Sequence, residues 1–210
     1  MQNVTDRTSN PFGMSPPGDR VVHGYGDANA DFHVVGDHPG VHGGVDTGIP
    51  FTGTAAVERF WDALAAVGLA AAEPEPTLSN CFASYLHAAV PDADGAPTSA
   101  SYDRHEAFFD SELRAITAHV LLPVGERATR HVLEQYTPRP AALADDLDAI
   151  HGEELSGSGF LVVPAKDPAD WTGSDFDDYV DGVERVMSWD YRRESDLGRF
   201  LPGDETYTVR

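Results

Sequence analysis

The residues best suited to chemistry lie in one stretch, Gly36 to Gly53, which reads GDHPGVHGGVDTGIPFTG. It carries two carboxylates and two imidazoles, Asp37, Asp46, His38 and His42, on a backbone rich in glycine and proline. An acid beside an imidazole can position or activate a water, so Asp37 and His38 are the first candidates for that work. Gly36 and Pro39 shape the turn around them, and glycine lets main chain approach a ligand closely. Phe51, in the polar run TGIPFTG, offers a ring on which a planar ligand could stack; the competing reading is a core phenylalanine beneath the loop. His38 and His42 are metal-ligand types, but no third ligand stands at a defined spacing, so no metal is expected. The stretch is neither Gly-x-Gly-x-x-Gly nor a phosphate loop ending in Gly-Lys-Ser/Thr. Neither dinucleotide nor triphosphate binding is favoured.

Further candidates stand farther along. Asn80, in TLSNCFASYL, can present both a donor and an acceptor to an amide-like ring edge, or it can cap a turn. Lys166 is the only lysine in the chain and precedes Asp167 in GFLVVPAKDPADW. It is either a donor beside a reacting group or an ordinary exposed residue after a strand. Cys81 is the only cysteine, so one chain can build neither a disulfide framework nor an all-cysteine metal cluster. Its apolar surroundings suggest a buried, inert thiol.

These residues need a scaffold. Phe32 to Val35 reads as a strand running into the glycine-rich stretch. Val57, Phe60, Trp61, Leu64 and Val67 fall on one face of a helix over 54–68. Thr77 to Phe82 reads as a second strand and SYDRHE as the start of a helix through Ile116. His119 to Val124 reads as a buried strand followed by a helix from Gly125; Phe160 to Val163 is the last strand, before a helix with Phe176, Val180, Val183 and Met187. Strands alternating with helices imply a three-layer α/β/α sandwich around a mainly parallel, four-stranded sheet. Ligands of such sheets sit beyond the carboxyl ends of the strands, where the stretch after strand one, Asn80 and the segment 164–168 would gather. The expected organisation is an irregular leader over 1–30, one domain over 31–189 and a polar tail over 190–210.

On these motifs the chain resembles the uracil-DNA glycosylase superfamily, in the branches that carry an iron–sulfur cluster. The fourth and fifth families are the nearest in pattern, the fifth above all. Its Gly-x-Ala-Pro turn, His-Gly, Arg-Thr-Gly and Phe-Thr-Gly match without a gap at Gly36, Pro39, His42, Gly43, Thr47, Gly48, Phe51, Thr52 and Gly53. LSNCFASYL is similar to the family's Thr-Asn strand end, HVLLPVGERATRHVL to its segment with Gly-x-x-Ala, and GFLVVPAKDPADW stands where its closing His-Pro motif belongs. The similarity runs over roughly residues 20 to 188. It implies an enzyme that extrudes a damaged base from DNA and hydrolyses its N-glycosidic bond, uracil or another deaminated base being the substrate. Phe51 would stack on the base and Asn80 read its edge, with Gly36, Pro39, His42 and Asp167 around it. Asp37 and His38 would hold the water, and Lys166 would stand in as donor to the leaving base. The partner implied is DNA with a damaged base; nothing identifies a protein partner.

The departures are equally specific. Gly18, Ser84 and His105 thread onto positions where the family has cluster cysteines, and Cys81 is out of register, so no iron–sulfur cluster is expected. Val45 and Asp46 replace an Asn-Arg pair, Thr54 an acid, and Asp167 stands in the slot of the closing histidine. An ionised aspartate cannot donate to an anionic leaving base and would repel it. These changes favour an alternative, a non-catalytic relative that binds DNA or a base through the same pocket; a nucleoside hydrolase on the same sheet is a third.

Charge is the most extreme bulk property: 35 acidic residues against 14 basic ones, a net −21. The acids are spread along the chain, which fits solvation in a salt-rich cytoplasm better than a basic partner. No apolar run approaches the roughly 20 residues of a membrane helix, and the start lacks the pattern of a signal peptide. A cytoplasmic protein, in a high-salt cytoplasm, is the expectation.

Overall fold

The computed structural model describes residues 8–71, 76–92 and 95–191. The expected tail lies outside the described residues from 192 onward.

Among the described residues the main sheet has six strands in the order β1-β5-β2-β6-β8-β7. Its centre is parallel: β5 (Cys81–Tyr85), β2 (Phe32–Gly36), β6 (Val120–Pro123) and β8 (Leu161–Val162). Two short antiparallel strands close the edges, β1 (Tyr25–Gly26) against β5 and β7 (Leu155–Ser156) against β8. The four-stranded expectation is therefore corrected to a mixed, six-stranded sheet. The edge strands are two residues long, too short to leave a periodic signal. The leader is not wholly irregular either: β1 joins the sheet, and Val22, Tyr25, Ala28 and Ala30 are buried. β3 (Ala70–Ala71) and β4 (Thr77–Leu78) form a separate antiparallel pair.

Side-chain alternation along the central strands splits the core. Phe32 and Val34 of β2, Val120 and Leu122 of β6, and Leu161 and Val163 around β8 point one way. They meet Phe60 and Leu64 of α2 (Ala55–Ala66) and Tyr179 and Val183 of α5 (Asp175–Met187). Val35, Leu121 and Val162 point the other way, to Phe109 and Leu113 of α3 (Ser99–Ile116) and Ala128 and Val132 of α4 (Gly125–Tyr136). Central strands buried on both faces must be apolar at every position, as FHVVG and VLLP nearly are. The helices start where hydroxyls can cap them: Thr54 Oγ1 accepts from the Val57 N–H and Thr98 Oγ1 from the Ser101 N–H. Three aspartates in the first turn of α5 favour its positive end.

The carboxyl ends of the parallel strands converge on one edge of the sheet. Gly36, Tyr85 and Pro123 lie together there, Gly36 paired with Tyr85 in register. The one-turn helix α1 (Pro39–His42) and the loop to Thr54 follow β2 at this edge. The N-terminus of α4 and the segment 163–168 flank them, tied by a bridge between Val124 and Ala165.

Candidate active site

A cleft of about 400 Å³ opens at this edge, walled by Asp37, His42, Gly125, Arg127, Arg130 and Asp167 among others. Two of its walls come from the loop after β2, one from the start of α4 and one from the segment after β8.

Asp37 is held from two sides. The Tyr102 hydroxyl donates to its Oδ1, and Arg127 Nε lies 3.6 Å from its Oδ2. Arg127 in turn sits 4.5 Å above the Tyr102 ring, a cation–π contact that holds both partners of the carboxylate in place. Burial, with the hydrogen bond to Asp37, pushes the Tyr102 hydroxyl well above its ordinary value, so it remains a donor.

The Asp37 main chain fixes the opposite wall. Its N–H donates to His42 Nδ1 at 3.0 Å. A nitrogen that accepts carries no proton, so His42 is neutral with its hydrogen on Nε2. That Nε2 is buried and has no hydrogen-bond partner of normal length, while His42 as a residue borders the cleft. The nearest acceptor, Asp167 Oδ2, is 3.5 Å away. Asp167 Oδ1 meanwhile accepts from the Ala169 N–H at 2.9 Å, capping a short turn. Burial works to raise the Asp167 carboxyl, but the His42 ring and the Ala169 N–H outweigh it and hold it below its ordinary value.

The other expected site residues are placed differently. His38 caps α1: its Nδ1 accepts from the Gly40 N–H at 3.1 Å, its ring lies close over Gly40, and it does not line the cleft. Burial lowers its pKa. A histidine one residue from Asp37 therefore serves the turn rather than the cleft, because a cap needs its acceptor directed along the backbone. Pro39 takes the first position of α1, where its missing N–H costs nothing.

Phe51 does not present an open shelf. Its ring is 1% exposed, stacked on His42 with centroids 5.2 Å apart and packed on Tyr85 and Phe60. As folded, the face expected to meet a base is covered by the imidazole. Gly36 is glycine for a related reason: a Cβ there would lie 2.6 Å from Tyr85 Cδ1 and 2.7 Å from Phe51 Cζ. Close approach is required, but by the protein's own rings.

Asn80 lies at the wrong edge. It precedes β5, where its Oδ1 accepts from the Asp31 N–H at 2.9 Å and its carbonyl from the Phe32 N–H at 3.2 Å. The four steps of β2 separate it from the cleft by about 13 Å. The strand expected over Thr77 to Phe82 is in fact two, broken at Asn80, whose φ of 53° lies in the left-handed region that asparagine tolerates. The side chain at the carboxyl end of β5 is Tyr85, whose hydroxyl accepts from the Phe51 N–H at 2.8 Å and donates to the His42 carbonyl at 2.7 Å. It staples the two halves of the glycine-rich stretch together.

Lys166 is also turned away. Its Nζ donates to Asp148 at 2.7 Å and to Asp175 at 2.9 Å, and it does not line the cleft. These two hydrogen bonds raise its pKa. Its main chain is held as firmly, the N–H by His151 Nδ1 and the carbonyl by Trp171 Nε1. A lone lysine on an acidic chain has many carboxylates to choose from, and the sequence does not say which.

The uracil DNA glycosylase superfamily model matches residues 23–175, spanning the cleft and every strand of the parallel core. The chain belongs to this superfamily. Among curated relatives of the superfamily, a type-5 uracil-DNA glycosylase from Pyrobaculum aerophilum is 30% identical over 157 residues, which is 71% of this chain and 66% of that protein. The positions that thread onto the cluster cysteines of the branches this chain resembles are held by Gly18, Ser84 and His105. Gly18 and His105 do approach one another across Ala89 and Pro17, but a Cβ on Gly18 would lie 2.6 Å from Ala89 Cβ. The ring nitrogens of His105 are both engaged by carbonyls, of Ser101 and Pro17. Ser84 is elsewhere, inside β5 and bonded to His33. Cys81 is fully buried, and burial pushes its thiol well above its ordinary value. Among the described residues no group of three or more histidines, cysteines or acids is placed to hold a metal ion.

Sequence reasoning missed Tyr85, Tyr102 and the partnership of Arg127 with Asp37. Tyr85 had a readable signal, since the largely apolar run CFASY carries the strand five residues past the asparagine. Tyr102 had none, and Arg127 stands out in sequence only as a basic residue in a stripe with Arg130 and His131; they meet Asp37 from two different helices.

Proposed function

We propose that the protein is a glycosylase-like DNA-repair hydrolase that cleaves the N-glycosidic bond of uracil or another deaminated base in DNA, on a three-layer α/β/α domain. One observation carries this reading: in a member of this superfamily, a carboxylate held by a tyrosine and an arginine faces a cleft at the carboxyl edge of the parallel strands. Asp37 accepts the proton of the attacking water. The N–H groups opening α4 meet the flanking phosphate. The base enters the cleft beside His42, since Phe51 is covered. A protein of net −21 working on DNA fits a salt-rich cytoplasm, where repulsion is screened over about 3 Å at molar salt.

A second reading is a non-catalytic binder of DNA or of a base. It is favoured by Tyr85 at the strand end where a base-reading amide is expected, and by the covered face of Phe51. Incubation of the folded protein with uracil-, hypoxanthine- and xanthine-containing oligonucleotides in molar potassium chloride separates the two. Abasic product on any of them supports the hydrolase. Base-dependent binding without product on all three supports the binder.

A further inference from the structure

A second depression, of about 750 Å³, lies on the same edge of the sheet, with Arg20, His87, Arg104 and His105 in its lining. The His87 N–H, just past β5, donates to the Asp37 carbonyl at 3.0 Å. The His87 ring lies 5.3 Å from that of Tyr102, whose hydroxyl holds the Asp37 carboxylate. His87 lines the depression and Asp37 lines the cleft, so the two hollows adjoin.

The arginines of the two hollows differ. In the cleft, Arg127 and Arg130 are paired with acids. Among the described residues neither Arg20 nor Arg104 forms an ion pair, although Asp19 and Asp92 line the same depression. Arg20 donates to a neutral acceptor, the Val45 carbonyl, at 3.0 Å. Arg104 has no side-chain hydrogen bond, and both residues are exposed. On a chain with 35 acidic residues, two uncompensated guanidinium groups in one hollow are unusual company.

The backbones that carry them are fixed. The Arg20 carbonyl accepts from the Val90 N–H, and the Val22 N–H donates to the Ala88 carbonyl, both at 2.9 Å. These bonds pin the leader to the segment after β5. His105 ties the leader to α3 as well: one ring nitrogen lies 3.0 Å from the Pro17 carbonyl, the other 2.9 Å from the Ser101 carbonyl. Arg104 precedes His105 on that helix. The lining includes no phenylalanine, tyrosine or tryptophan, so it offers little for a base to stack on. Guanidinium groups suit phosphate, which their planar fork meets through two hydrogen bonds. The depression is larger than the cleft, with room for a run of backbone.

From this arrangement we propose that the depression is a backbone trough for DNA, in which Arg20 and Arg104 hold phosphates of the strand that flanks the nucleotide at the cleft. The proposal rests on the reading of the protein as one that works on DNA. It places phosphate contacts on the β5 side of β2, opposite α4, which follows β6 on the other side. Arg20 stands outside residues 23–175 matched by the superfamily model, so its contact belongs to this chain's own leader.

The test is binding of an undamaged DNA duplex by the full chain as potassium chloride is varied, which needs no turnover. Each phosphate neutralised adds about 0.9 to the magnitude of the slope of log K against log salt. Arg20→Gln and Arg104→Gln are each expected to lower that magnitude by about 0.9, and the double variant by about 1.8, alike for every sequence. Arg139→Gln removes the same charge from an exposed arginine past the far end of α4, and is expected to leave the slope as it is. An equal fall in Arg139→Gln makes the effect one of net charge and overturns the trough, as do unchanged slopes in both trough variants. Arg104→Gln breaks no hydrogen bond or ion pair, so it carries the test alone if Arg20→Gln is unstable. Inorganic phosphate is titrated against the same proteins. Phosphate binding that both variants lose, with DNA slopes unchanged, makes the trough a small-anion site and overturns the assignment to DNA. The oligonucleotide cleavage assay reports separately on the hydrolase. Abasic product with unchanged slopes refutes the trough and keeps the hydrolase; reduced slopes without product keep the trough on a non-catalytic binder. A wild type that binds no DNA refutes the trough outright.

Discussion

Asp37, His42 and Asp167 border the cleft, and each is held there by neighbours: Asp37 by Tyr102 and Arg127, His42 by the Asp37 N–H, and Asp167 by the Ala169 N–H. Lys166 is the informative contrast. Its amine is saturated by two carboxylates and its main chain is locked by His151 and Trp171. Lys166→Met is therefore expected to lower the melting temperature by a few degrees while leaving the single-turnover rate within about threefold of wild type. A folded variant whose rate drops a hundredfold or more would return Lys166 to the catalytic set. Tyr102→Phe is expected to do the reverse: the melting temperature nearly unchanged, the rate down by about tenfold or more, because Asp37 loses the donor that orients it.

Two elements carry tension that measurements can reach. The end of β5 clamps the glycine-rich stretch through one hydroxyl, so Tyr85→Phe leaves the Phe51 N–H and the His42 carbonyl without their partner. A loss of about 1–3 kcal/mol in urea unfolding is expected; an unchanged midpoint would show that the staple is dispensable. In α3, Glu112 is 7% exposed, and burial raises its carboxyl to about 7, against the opposing hydrogen bond from Ser84. The unfolded chain gives up this proton near the ordinary value of 4.5, while the folded chain keeps it until about 7. Stability from this group is full at acid pH and is lost as pH rises through that window. Between pH 5 and pH 8 the wild type should lose about 2–3 kcal/mol more than Glu112→Gln. Parallel pH profiles for the two proteins would remove Glu112 as the cause.

At the scale of the whole molecule, charge dominates. A net −21 on 210 residues repels itself and any nucleic acid, and salt is the lever on both. The melting temperature is expected to climb as potassium chloride rises from 0.1 M to molar, where the screening length shrinks from about 10 Å to about 3 Å. A flat or falling curve would contradict it. The arginines at the cleft already answer to acids, Arg130 to Glu126 and Asp145, Arg127 to Asp37. Few are free for phosphate, so affinity for DNA should fall only shallowly with salt, with a logarithmic slope of magnitude below about 3.

The sequence by itself determined the superfamily, the alternation of strands and helices, and the loop that holds the site. Those follow from local matters: hydrophobic period, glycine spacing and turn-forming residues. It also set Asp37, His42 and Asp167 among the candidates. Only the tertiary structure decided which of them face one another. Asn80 has the look of a strand's close but precedes a strand, and a shift of a few residues in a parallel strand moves a side chain to the opposite edge of the sheet. Phe51 was legible as an aromatic in the right place, but what covers its face comes from His42 and Tyr85, which pairing in space brings to it. Lys166 and Asp167 are chain neighbours with opposite fates, because the turn that buries one carboxylate toward His42 sends the adjacent amine to Asp148 and Asp175. Side-chain direction at a loop is set by partners distant in sequence, and residue type alone does not encode it.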